Sequence, residues 1–268
     1  MKFMNLPDEY CGDDSEFVIL PVEYEKSPTY GKGASKGSLA ILKASKHLEY
    51  YDEQFDCEPY ELGIKVLPAV KSIDINLPDK GFPIILGGDH AVTIGAIKAI
   101  EKKHDKFSVI ILDAHPDFRY SWNGSQQNHA CVARRAVASH KVGLVGVRSM
   151  DKDVSEAIAA NDDVHIIKAY DYNPQKLKKL LSKLDEKVYI SIDVDVFDPS
   201  FIRNTGTPEP GGFFWDRVID VLKTVFDDKK VIGADIVEFA PITNYEAEAF
   251  ALSKLCYKLI ALQLRAQQ

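Results

Sequence analysis

Apolar runs bounded by turn residues alternate along the chain with amphipathic stretches of helical period. The near-continuous apolar runs predict strands near 16–21, 82–86, 107–112, 142–147, 163–167, 187–192 and 231–237. Stretches with apolar positions at helical spacing predict helices near 37–50, 91–103, 129–139, 151–160, 174–185, 214–227 and 246–264. Such alternation implies right-handed βαβ crossovers and a mainly parallel sheet covered by helices on both faces. No Pro/Gly/Ser-rich linker, low-complexity tract or solenoid-like repeat divides the chain, and 268 residues can bury a large core. The expectation is one α/β domain over 1–268.

The strand pattern ends in acidic chemistry. Val109-Ile110-Ile111-Leu112 runs into Asp113-Ala114-His115-Pro116-Asp117, and Val188-Tyr189-Ile190 runs into Ser191-Ile192-Asp193-Val194-Asp195-Val196-Phe197-Asp198-Pro199. Both clusters fall at the carboxyl ends of predicted strands, where open α/β sheets place ligand sites. In extended chain, residues two apart share a face, so Asp113, His115 and Asp117 can converge, as can Asp193 and Asp195, although Pro116 is expected to turn the chain before Asp117. Pro83-Ile84-Ile85-Leu86 leads to Gly87-Gly88-Asp89-His90, a tight turn that brings an imidazole to a helix start, with Asp89 placed as an N-cap. Val231 to Val237 leads to Glu238. All these motifs fall at one edge of the sheet.

Charge decides how the set is read. Four close carboxylates raise one another's pKa unless compensated, and two divalent cations cancel Asp113, Asp117, Asp193 and Asp195. Oxygen and imidazole donors without thiolate suit Mn²⁺, with Fe²⁺, Co²⁺, Ni²⁺ or Zn²⁺ as alternatives. Two such ions about 3.5 Å apart lower the pKa of a shared water, which makes metal-assisted hydrolysis the first class to consider. The net charge of −7 argues against nucleic acid as a main partner. Met1 to Glu9 has no apolar core of signal-peptide length, and no stretch approaches ~18 apolar residues, so a cytoplasmic protein without membrane contact is expected. The four cysteines are widely spaced and read as reduced thiols.

In this order, Gly87-Gly88-Asp89-His90, the Asp113 cluster, the Asp193 cluster and Glu238 resemble the ureohydrolase family of arginase, agmatinase and formimidoylglutamase. Thr205-Gly206-Thr207-Pro208-Glu209-Pro210-Gly211-Gly212 is most similar to the agmatinase branch. The resemblance implies a three-layer α/β/α sandwich with an eight-stranded sheet and an oligomer, trimer or hexamer. It implies two Mn²⁺ ions, one held by His90, Asp113, Asp117 and Asp193, the other by Asp113, His115, Asp193 and Asp195. It also implies that Asp117 orients the hydroxide nucleophile, that Glu238 pairs with the guanidinium, and that His129 shuttles protons. Agmatine, cleaved to putrescine and urea, is the first candidate substrate, and arginine, guanidinobutyrate and formimidoylglutamate are the alternatives.

The chain departs from the family pattern at Ser38, at Ala91, where serine is usual, and at Ala130-Cys131, where His129 is usually followed by Gly-Thr. Between Asp117 and His129, Arg119 either reads a substrate carboxylate or pairs with a neighbouring acid, and Trp122 either walls the pocket or packs the loop. His47, His104, His140 and His165 read as solvent-facing or structural. A binuclear phosphoesterase needs further histidines downstream, and none follows His165. A catalytically silent binding or scaffold protein is the reading from outside enzymes.

Overall fold

The computed structural model describes residues 1–26, 28–243 and 245–267. Its strands are β1 (Phe17–Pro21), β2 (Ile64–Val66), β3 (Phe82–Leu86), β4 (Ser108–Leu112), β5 (Val142–Val147), β6 (Val164–Lys168), β7 (Lys187–Asp193) and β8 (Lys230–Val237). The helices are α1 (Gly37–Ala44), α2 (Val92–Glu101), α3 (Val132–Ala136), α4 (Lys152–Ala159), α5 (Pro174–Leu181), α6 (Trp215–Asp228) and α7 (Ala247–Ala266). All strand pairs are parallel, in one sheet of order β2-β1-β3-β8-β7-β4-β5-β6. The strand burial explains the unbroken apolar runs, because a parallel sheet is covered on both faces.

Strand parity sorts the core into two layers. Ile84, Leu86, Ile110, Leu112, Ile190 and Ile192 join the core formed with α1, α5, α6 and α7. Ile85, Val109, Ile111 and Tyr189 point the other way, into the core of α2, α3 and α4. Asp113, Ser191, Asp193 and Asp235 share the odd parity of the second set, so the pleat directs them toward the α2 side. Pro83 sits in an interior strand without losing a ladder bond, because the β3–β8 pairing begins at Ile84.

Three sequence expectations are corrected. The short edge strand β2 is absent from the predicted set; it has three residues and a mixed burial pattern, too little for periodicity to detect. The helix expected over 37–50 ends at Ala44 and tightens into a 3₁₀ turn over Ser45–His47. The helix expected over 129–139 is a 3₁₀ turn at His129–Cys131 followed by the short α3. His104 lies past the end of α2 and His165 inside β6. Among the described residues, no helix is long and apolar enough to cross a membrane.

One buried charge pair ties α7 to the 50–57 loop. Lys258 Nζ lies 2.7 Å from Asp52 Oδ1, and both side chains are essentially inaccessible. Lys258→Met strands a buried carboxylate and is expected to lower unfolding free energy by about 3–5 kcal/mol in urea denaturation, with much of that recovered in the Asp52→Asn/Lys258→Met double variant. A loss below about 1 kcal/mol would show that the pair is not integral to the fold.

Candidate metal centre

The carboxyl ends of four adjacent strands, β3, β8, β7 and β4, supply the site. Gly87 to His90 leave β3, Asp113 follows β4, Asp193 closes β7 and Glu238 follows β8. At the β3 turn, a Cβ on Gly88 would come within 1.8 Å of the Tyr24 carbonyl oxygen, so glycine is needed for the backbones to meet. Asp89 is not the N-cap of α2, which is Ala91, but its Oδ1 accepts the Ala91 N–H at 3.0 Å and so braces the turn that leads into the helix. Asp117 and Glu238 are non-glycine residues with positive φ, 43° and 67°. Such backbone persists only where neighbours over-determine it. For Glu238 these are the N–H bond to Gly88 O at 2.7 Å and the bond from His90 N–H to its Oε1 at 2.6 Å.

Six expected ligands come together. His90, Asp113 and Asp117 form one group whose donor atoms lie within 4.8 Å of each other, and Asp113, His115 and Asp195 form a second. His90 Nδ1 lies 2.9 Å from Asp117 Oδ2, 3.2 Å from Asp113 Oδ2 and 3.3 Å from Asp193 Oδ2. Yet His90 Nδ1 and Asp113 Oδ2 are buried without a hydrogen-bond partner. His115 Nδ1 lies 2.9 Å from Asp195 Oδ2 and 3.5 Å from Asp113 Oδ1. Backbone N–H groups hold the remaining oxygens: Ala114 donates to Asp195, His115 to Asp113 and Asp195 to Asp193.

The electrostatics follow burial and crowding. Burial, then the charges of Asp195 and Asp113, push the Asp193 carboxyl well above the usual range, and burial with the charge of Asp113 raises Asp195. Asp113 departs from the expected mutual raising. Burial and Asp117 act to raise it, but the flanking His115 and His90 outweigh them and hold it low. Burial opposes protonation of His115, yet Asp195 and Asp113 push its pKa up to about 12, and His90 is raised well above its usual value against the same penalty. The residues fit a pair of divalent cations. Carboxylates on a shared focus, an orphaned imidazole nitrogen aimed at it and Asp113 common to both groups are a donor set for hard to borderline ions.

A cleft of about 290 Å³ opens over this centre, lined among others by Glu25, Asp117, Arg119, Trp122, His129 and Glu238. Glu238 keeps part of its surface open to the cleft while its carboxyl is enclosed, and burial followed by the charge of Asp89 raises its pKa well above the usual range. His129 Nε2 meets Thr29 Oγ1 at 2.8 Å, Nδ1 is buried without a partner, and burial lowers its pKa. Arg119 pairs with Asp151 and stacks over Trp122, 4.5 Å from the ring centroid. Sequence reasoning missed Asp151, Glu25, Asp235 and Arg148. Arg148 donates to the carbonyls of Asp195, Phe197 and Glu209, clamping the loop beneath the centre. A lone arginine after β5 carried no signal of that role, because its partners are carbonyls far along the chain.

The sequence model of the Arginase family matches residues 15–261. An agmatinase of Pyrococcus horikoshii is 36% identical over 270 residues, covering 94% of this chain and 93% of that protein. An N(1)-aminopropylagmatine ureohydrolase of Synechocystis sp. is 32% identical, covering 92% of this chain and 89% of its own. The crystal structure of agmatine ureohydrolase of Thermoplasma volcanium superposes with a TM-score of 0.84 at 25% identity, covering 99% of this chain and 95% of that one.

An imidazole must be neutral to bind a metal, so the raised pKa values of His90 and His115 mean that metal binding displaces protons. Affinity for Mn²⁺ is therefore expected to rise with pH, and titration calorimetry in buffers of different ionisation enthalpy should report proton release. Binding that is independent of pH and of buffer would remove these imidazoles from the ligand set.

Proposed function

The chain belongs to the arginase family, and on that footing we propose that it hydrolyses agmatine to putrescine and urea, using Mn²⁺ ions held by His90, Asp113, His115, Asp117, Asp193 and Asp195. Family membership makes it a ureohydrolase acting on linear amidines, with a binuclear metal requirement. The observation that carries the reading is the pair of donor groups sharing Asp113, with Glu238 in the wall of the same cleft. When bound, the ions supply Lewis acidity and lower the pKa of water, providing a nucleophile at neutral pH.

The protein's own groups then have separable tasks. Glu238 uses Oε1 for the His90 N–H, while Oε2 faces Gly206, where an added Cβ would stand 3.5 Å away. A planar, donor-rich guanidinium placed there restores the ionised carboxylate and is fixed in plane by it. Asp117 orients the nucleophile by a hydrogen bond. His129, kept neutral near neutral pH by burial, accepts a proton and delivers it to the leaving amine, with the Thr29 hydroxyl holding the ring.

The far end of the substrate is read from charge. Asp151 already neutralises Arg119, whose guanidinium lies over the Trp122 ring, so this wall suits an alkyl chain better than it would serve as a carboxylate receptor. That favours an amine terminus over the carboxylate of arginine or a guanidino acid. N(1)-aminopropylagmatine is the second reading, because a second carboxylate, Glu25, lines the cleft, its oxygens held in place by the Gly33 N–H at 2.8 Å and the Ser35 hydroxyl at 3.1 Å. A cytoplasmic homo-oligomer accompanies the proposal on resemblance alone.

Urea release from the Mn²⁺-loaded protein should be highest for agmatine or N(1)-aminopropylagmatine among a panel that also holds arginine, guanidinobutyrate, guanidinopropionate and formimidoylglutamate. Silence across the panel with metal bound would favour the scaffold reading. His129→Ala is expected to lower turnover by roughly 10²–10⁴-fold while leaving metal content near wild type. Parallel loss of metal would sink the proton-shuttle assignment.

A further inference from the structure

Behind the metal centre lies a buried polar network that none of the roles above uses. Asp235 of β8 is fully buried, faces the α2 side and does not line the cleft. Its Oδ1 accepts the Ser191 hydroxyl at 2.6 Å, and its Oδ2 accepts the hydroxyls of Tyr189 at 2.8 Å and Thr93 at 2.9 Å. Ser191 Oγ in turn lies 3.1 Å from His90 Nε2. The three donors come from β7 and α2, so the network joins both elements to β8 directly behind the imidazole.

We propose that Asp235 is a positioning residue that, through Ser191, fixes which nitrogen of His90 carries the proton and so presents Nδ1 to the metal. This role rests on the metal-centre reading. Each hydroxyl has one proton to give. Those of Ser191, Thr93 and Tyr189 are all committed to the Asp235 carboxylate, so Ser191 Oγ can only accept from His90. Nε2 therefore carries the hydrogen, and Nδ1, which faces Asp113, Asp117 and Asp193, is the bare nitrogen when the ring is neutral. The 3.1 Å approach of Thr93 Oγ1 to Ser191 Oγ does not disturb the inventory, since neither hydroxyl has a second proton. A carboxylate placed behind the ligand also strengthens the imidazole as a donor.

Asparagine at 235 reverses the inventory while keeping the shape. Two hydroxyls converge on the Oδ2 position, so the amide oxygen belongs there and the NH₂ group faces Ser191. The Ser191 proton is then free to point at Nε2, which drives the imidazole proton onto Nδ1, against the cation.

The test is a Mn²⁺ titration of the metal-free full chain, read by the electron paramagnetic resonance of free Mn²⁺, with thermal melting of each metal-free variant alongside. Wild type should bind two ions. Asp235→Asn should weaken one of them by roughly 10–100-fold and spare the other. Ser191→Ala, which breaks the relay without imposing the wrong proton, should weaken the same ion by less, and Tyr189→Phe should leave both affinities unchanged. Equal affinities in wild type, Asp235→Asn and Ser191→Ala overturn the relay alone. So does a parallel loss of both ions that tracks a lower melting temperature, since that marks a merely structural role. If Asp235→Asn fails to fold, Ser191→Ala decides: selective weakening supports the relay, and unchanged binding overturns it. Wild type that binds no Mn²⁺ overturns the metal-centre reading together with this one.

Discussion

Compensation of buried negative charge governs the carboxyl end of this sheet. Asp113, Asp193 and Asp195 are almost inaccessible, and Asp117 is only slightly less so. At an effective dielectric near 20, two like charges about 4 Å apart repel by about 4 kcal/mol, so four carboxylates around one focus cannot stay ionised unaided. Two imidazoles offer a partial remedy by taking up protons, which is why both are driven far above their usual pKa. Divalent ions offer a complete one, and they displace those protons. Folding, protonation and metal loading are therefore linked through one balance of charge at the strand ends.

The topology determines when that balance arises. β3 and β4 are consecutive in the chain, yet β8 and β7 lie between them in the sheet. His90 and Asp113 thus wait for strands that enter more than seventy residues later, and the donor groups meet only once β7 and β8 are inserted. Non-local pairing of this kind is slow to form. It also yields rigidity, because each donor leaves a strand held on both sides. The loop after β7 gains a further restraint from Arg148, whose guanidinium gathers carbonyls of Asp195, Phe197 and Glu209. Positive φ at Asp117 and Glu238 is sustained by that surrounding order.

Much of this is legible in the sequence because it obeys short-range rules. Alternation of apolar runs and amphipathic stretches gives a parallel sheet, and a two-residue spacing at strand ends gives shared faces, so His90, Asp113, His115, Asp117, Asp193, Asp195 and Glu238 stand out where the apolar runs end. What stays hidden is relational. Asp235 sits inside an apolar run where its purpose depends on hydroxyls from Tyr189, Ser191 and Thr93. Arg148 acts on carbonyls, which leave no trace in residue type. β2 has too few residues to show a period. The histidines given structural readings are better served by chemistry than by periodicity: His140 bridges Phe107 O and Glu101, as a buried imidazole with two partners should.

The departures from the family pattern separate once their surroundings are known. Ala91 is buried and is held through its N–H by Asp89, while the hydroxyls behind His90 come from Thr93 and Ser191, so a serine at 91 is not needed to complete that network. Cys131 is fully buried, with its sulfur near the Ser125 carbonyl, and does not line the cleft. Ala130 does line it, in the same turn as His129, and its carbonyl accepts the Arg119 N–H at 3.0 Å. Its backbone therefore anchors the loop that carries Arg119 and, through it, the pairing with Asp151. Of the four departures, Ser38, Ala91, Ala130 and Cys131, only Ala130 lines the cleft. Substrate selection can change there without altering the donor set on which metal binding depends.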